Sequence, residues 1–509
     1  MRSKNALKNI ATSLFFEIIK IICGFIAPIL IINTYGSEVN GLVSSITKFL
    51  AYITLLESGI GPVIKAALYK PIANKENKEI ANILKAAEKF FRVIAVIFII
   101  YIIVLCIIYP IIINNEFDSW FTISLILIIS ISTFAEYFFG ITYKLFIQAD
   151  QKKYVISNIE ILTTVLNTLL IVILIKVGSS IQIVKLFSAM VFVIRPLLQN
   201  IYFKRKYNIN LKEASKDYIL KNKWDGLSQH IATVVHNNTD IAVLTILSNM
   251  KEVSVYSVYL LVIDGVKRFV EALNAGIDAT FGNMIVKNEN LNEKFGIYET
   301  MYFTLITIIY ICIMLLIVPF VSVYTRNADD VNYIRPTFAI IMTCAEFVFA
   351  IRLPYNSLIK AAGHFKETMK GAWIETATNI VLSVILVVKL GLVGVAIGTL
   401  VAMMTRTIDF IRYTSKSIIK RNITQSIKKI ICIIIQTIIM IILNKILFSN
   451  LTIVSYIEWF KYAFSIFIIT SIEVLLINYL VYKNDFKKML KILKNIINKK
   501  NEVKGKEET

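Results

Sequence analysis

Charge is scarce in this chain. Asp, Glu, Lys and Arg make up 17% of its 509 residues, against about 25% in soluble globular proteins, which excludes water as its main solvent. No GxxxxGK followed by Ser or Thr occurs, so ATP hydrolysis within the chain is not expected. Nor does HExxH or another metal-ligand spacing occur, and no cofactor is implied. The five cysteines, Cys23, Cys106, Cys312, Cys344 and Cys432, sit in apolar runs without a CxxC pair and read as packing residues. No loop expected outside the membrane is large enough for a catalytic domain, which argues against an enzyme.

What is abundant is apolar sequence, 57% of the residues. It comes in runs of about 18 to 25, the length that spans about 30 Å of hydrocarbon as a helix. Such runs lie near 10–33, 39–68, 91–113, 119–147, 153–177, 180–203, 223–248, 252–285, 298–324, 333–359, 368–390, 392–413, 427–448 and 455–482. The fold class is therefore an all-α polytopic membrane protein of about 14 transmembrane helices. The first run carries Glu17 and Lys20 with no small-residue cleavage site, and reads as a retained span.

The net charge of +21 could fit a nucleic acid, but its distribution does not. Basic residues collect in alternate loops, in Lys70–Lys89, Lys204–Lys206, Lys416–Lys429 and the tail from Lys483. The intervening loops, such as 114–118 and 325–330, are short and acidic or neutral. By the positive-inside rule both termini lie in the cytoplasm, and no nucleic-acid partner is expected.

The chain also repeats itself. EVNGLVSSITKFLAYITLLESGIGPVIKAAL from Glu38, followed by a charged linker and a run ending at Pro110, resembles EVSVYSVYLLVIDGVKRFVEALNAGIDATF from Glu252 and a run ending at Pro319. Six helices separate the copies, so the two repeats enter the membrane in the same direction. Parallel repeats imply a pseudo-twofold axis along the membrane normal. The expected organisation is a six-helix lobe at 1–209, a second at 210–420, an appended helix pair at 421–482 and a basic cytoplasmic tail at 483–509.

The second helix of each lobe is broken by small residues and proline: Gly59, Gly61 and Pro62 in the first, Gly265, Gly276 and Gly282 in the second. Breaks in a span need protein or water to satisfy the freed backbone, so matched breaks point to a transport pathway. A charge at the bilayer centre costs at least about 2.5 kcal/mol. Lys48, Lys267, Arg268 and Arg352 thus stand out as a cationic set suited to an anionic substrate. Lys65 and Arg406, near cytoplasmic ends, are expected to snorkel to headgroups. Glu57 and Glu271 are expected to pair with the cations or carry a coupling ion. His236 and Asp240 share a helix face at i, i+4, where a proton relay is conceivable and a polar cavity wall is the simpler reading. Gly394 and Gly398 form a GxxxG, which reads as close helix packing.

The stretches RLPYNSLIKAAGHFKET from Arg352, WIETATN from Trp373 and GLVGVAIGT from Gly391 resemble the polysaccharide transport proteins of the O-antigen flippase type. That family belongs to the MOP superfamily, with the multidrug and toxin extruders (MATE) and the lipid II flippase. The resemblance implies a MATE-like fold in a bacterial cytoplasmic membrane, with export of undecaprenyl-pyrophosphate-linked oligosaccharide by alternating access.

 The implied activity is export of that lipid-linked glycan for surface polysaccharide synthesis, and the implied state is a monomer among membrane lipids, the pathway's polymerase and glycosyltransferases being further partners. Within this resemblance Lys48, Lys267, Arg268 and Arg352 would hold the pyrophosphate. A cation-coupled multidrug or small-molecule antiporter of the same superfamily is the alternative.

Overall fold

The structure is a computed structural model that describes residues 2–57, 59–113, 116–215, 227–274, 277–287, 290–449, 451–488 and 491. Every element among the described residues is helical, the form in which a single segment satisfies its own backbone in lipid. The chain divides into two compact units, Met1–Leu261 with Asn327–Val331, and Val262–Arg326 with Asn332–Thr509.

The first unit holds α1 (Arg2–Tyr35), α2 (Ser37–Ala51), α3 (Thr54–Glu57), α4 (Ile60–Asn74), α5 (Asn77–Ile112), α6 (Ser119–Ala135), α7 (Ile141–Ala149), α8 (Lys153–Lys176), α9 (Ile181–Lys206) and α10 (Leu227–Leu247). It also takes the start of α11 (Met250–Asn274), whose remainder belongs to the second unit. There follow α12 (Ile277–Val286), α13 (Leu291–Tyr324), α14 (Pro336–Ala362), α15 (Met369–Leu390), α16 (Leu392–Tyr413), α17 (Thr424–Leu447) and α18 (Tyr456–Val481). A π-helical turn, Glu136–Gly140, joins α6 to α7, and another, Thr414–Ile419, extends α16.

Twelve helical stretches among the described residues are long and apolar enough to cross a membrane. Two more, α10 with 21 residues and α11 with 25, have the length without the apolarity. Asp240 and two histidines lie on α10, and Asp264, Lys267, Arg268 and Glu271 lie on α11. The repeat is visible in packing: α6 and α8 both lie on α9, as α14 and α15 both lie on α16. In α15 and α16 the approach is close, since a Cβ at Gly394 or Gly398 would meet the Leu386 carbonyl or Ser383, the expected role of that GxxxG.

Apolar side chains face outward as well as inward. On α5, Phe91, Phe98 and Leu105 are buried while Ile100, Ile107 and Ile111 are exposed, a helix apolar all round that has protein on one side and lipid on the other. In the first unit Asp330 caps α2: its carboxylate accepts from the Ser37 amide and hydroxyl, both at 2.7 Å. That explains why the short segment Asn327–Val331 groups with helices far earlier in the chain.

In the second unit a buried ion cluster fastens α17. Glu299 on α13 accepts from Arg421 at 2.6 Å, Lys429 at 3.0 Å and Ser426 at 3.1 Å, and from the Tyr355 hydroxyl. Its side chain is 0% exposed. Removing one partner of a buried pair leaves the other charge uncompensated, at about 3–5 kcal/mol. Glu299→Gln is therefore expected to lower the thermal midpoint of the purified protein strongly. Glu293→Gln, which breaks the exposed pair with Lys488, is expected to leave that midpoint in place.

Candidate functional site

The second unit gathers two of the four cations singled out above. Glu346, Phe349 and Arg352 follow one another at helical spacing of three on α14, so they share a face. Lys267 on α11 sits over the Phe349 ring at 4.2 Å and contacts Glu346 at 3.3 Å. Arg352 sits over the same ring at 4.7 Å and donates to Glu375 of α15 at 2.5 Å. One aromatic ring thus carries two cations, each attracted by its quadrupole.

The charges here are balanced rather than purely positive. Glu375 also faces Arg406 at 3.8 Å. Arg406 is buried, donates to the Thr368 carbonyl at 2.5 Å and lies over Phe410. It does not snorkel, because three partners inside the unit outcompete a headgroup. Arg268 and Glu271 are exposed on α11. Glu271 is one turn from Lys267 yet makes no ion pair with it among the described residues, since the ammonium is turned to Glu346. Glu346 keeps its second oxygen, Oε2, buried with no hydrogen bond among the described residues. An anion entering this site would compete with Glu346 and Glu375 for Lys267 and Arg352.

In the first unit the second helix is broken as its sequence implies. Its parts α2 and α3 are separated by a turn at Tyr52–Ile53, and Gly59 takes φ 97° before α4 begins. A side chain there would be strained, which accounts for glycine. Gly61 is buried and Pro62 exposed within the first turn of α4, where the missing N–H of proline costs little. Of the second helix's breaks, Gly265 and Gly282 are corrected: they lie inside continuous α11 and α12. Gly276 lies outside the described residues.

Glu57 makes no ion pair among the described residues either; it accepts from Tyr137 of the π-helical turn at 2.9 Å. Lys48 is half-buried on α2. Asp240 is buried and accepts from the Tyr256 hydroxyl at 2.7 Å, while His236 one turn before it is half-buried. The neighbouring hydroxyls fit a polar wall.

Sequence reading missed Lys185 on α9. It lines a cavity of about 380 Å³ in the first unit. No sequence motif marks it, and only the hydroxyls that other helices bring to the same cavity set it apart.

No family model and no curated protein matches this chain. Solved structures do. A lipid II flippase, MurJ, in an inward closed conformation superposes with TM-score 0.67 at 14% identity, covering 93% of this chain and 98% of its own. An inward-facing multidrug resistance MATE transporter of the MOP superfamily gives 0.60 at 15% identity, covering 80% and 98%. A eukaryotic MATE transporter gives 0.56 at 13%, covering 85% and 99%. The chain thus has the helical fold of these three structures. These neighbours are transporters and flippases, and the chain is a multi-pass membrane protein of that architecture.

Exposure differs sharply between two of the cations. With the native cysteines replaced, Arg268→Cys is expected to react quickly with a water-soluble thiol reagent. Arg352→Cys, from a side chain 12% exposed, should remain mostly unreacted over the same interval.

Proposed function

We propose that this protein is a flippase that exports undecaprenyl-pyrophosphate-linked oligosaccharide across the bacterial cytoplasmic membrane by alternating access. The observation that carries this reading is coverage. The flippase match leaves 7% of the chain outside, fewer residues than α17 and α18 contain together, 24 and 26. The MATE match leaves 20% outside, enough to omit that pair. The appended helices therefore favour a lipid-linked cargo over the antiporter alternative.

In this reading Lys267 and Arg352 exchange their carboxylates for the pyrophosphate, with Arg268 as a further counter-charge. With both termini cytoplasmic, export moves about two negative charges toward the positive side, worth at most about 4.6 kcal/mol per 100 mV. Glu57, His236, Asp240 and Glu271 are the remaining groups for ion coupling.

Deleting the gene is expected to strand lipid-linked oligosaccharide at the cytoplasmic face and remove the surface polymer. Lys267→Ala and Arg352→Ala should each lower restored export about tenfold or more, a charge-assisted hydrogen bond being worth about 1.5–3 kcal/mol. Normal surface glycan together with lost drug resistance would instead establish the antiporter.

A further inference from the structure

The cavity beside Lys185 belongs to the first unit and uses none of the charges described above. Its polar lining comes from Thr47 and Thr54 on α2 and α3, Ser132 and Thr133 on α6, and Lys185 and Ser188 on α9. Thr47, Thr54 and Ser132 donate to carbonyls of their own helices. Lys185, Ser188 and Thr133 make no hydrogen bond or ion pair among the described residues. No carboxylate among the described residues lines the cavity.

Geometry brings the three unpaired groups together. Lys185 and Ser188 are one turn apart on α9 and face the same way, and α6, which carries Thr133, packs on α9. Three donors with one positive charge and no acid converge on a space of about 380 Å³, within the range of small-ligand sites, about 300–1,000 Å³. A lone ammonium in a membrane span is costly without a partner. An oxygen anion supplies that partner and accepts from the hydroxyls.

We propose that this cavity is a binding site for an oxyanion, either the carboxylate of an acidic sugar or a phosphate, held by Lys185 with Ser188 and Thr133. Lys185 supplies the charge, and the two hydroxyls orient the oxygens. The assignment of the anion to a transported glycan rests on the flippase reading; the binding itself does not.

The test uses the purified full-length protein in detergent, with its thermal midpoint followed against glucuronate, inorganic phosphate and glucose. A bound ligand raises the midpoint with its concentration. Glucuronate or phosphate is expected to raise it and glucose to leave it unchanged; the anion acting at lower concentration identifies the source. Lys185→Gln should raise the half-maximal concentration at least about tenfold, the loss of one charge-assisted contact, and Lys185→Arg should restore it in large part. Ser188→Ala with Thr133→Val, which keeps the lysine, should weaken binding and carries the test if Lys185→Gln does not fold. Equal shifts with glucose and glucuronate, no shift with either anion, or unaltered titrations in the variants would overturn the proposal. Because binding is read without transport, failure here leaves the flippase reading to its own export assay.

Discussion

A charge taken out of water must be met by a partner, and in this protein that constraint organises the second unit. Glu299 draws Arg421, Lys429 and Tyr355 around itself and thereby fastens α17 to α13 and α14. Glu375 does the same on a smaller scale with Arg352 and Arg406. Such pairs add little net stability over well-packed apolar residues, but breaking one is costly. They therefore act as latches with a defined partner, which suits positions where helices must hold one arrangement.

The two kinds of buried ion are arranged differently. Around Glu299 the ions are enclosed, and the carboxylate accepts from four side chains. Around Phe349 the pairs are incomplete: Lys267 contacts Glu346 at 3.3 Å, and Glu346 keeps an oxygen without a hydrogen bond. The Glu299 carboxylate is saturated by its four donors, while Glu346 keeps room for a further one. Under the proposed function the second kind is the one a transport site needs, because an ion pair that never opens cannot release cargo.

Much of the fold was legible because each apolar run has the length of a bilayer and the loop charges alternate. The GxxxG at Gly394 and Gly398 and the break at Gly59 were readable for the same local reason: glycine has few uses inside a span. The site was less legible. Sequence shows that Lys267 and Arg352 are charged but not that Glu346 and Glu375 face them, since those contacts join separate helices. Arg406 was misread because the Thr368 carbonyl and the Glu375 carboxylate that hold it come from outside α16, contacts set by tertiary packing. Gly265 and Gly282 were overread: a glycine alone does not interrupt a helix, and both lie inside continuous α11 and α12.

The cap on α2 has a consequence for synthesis. Ser37 and Asp330 are separated by 293 positions, which a ribosome adding about 5–20 residues per second takes roughly 15–60 s to make. Until then the amides opening α2 have no carboxylate to bind. The first half of the molecule is thus inserted early and finished late, when the loop that follows α13 is translated and arrives to close it.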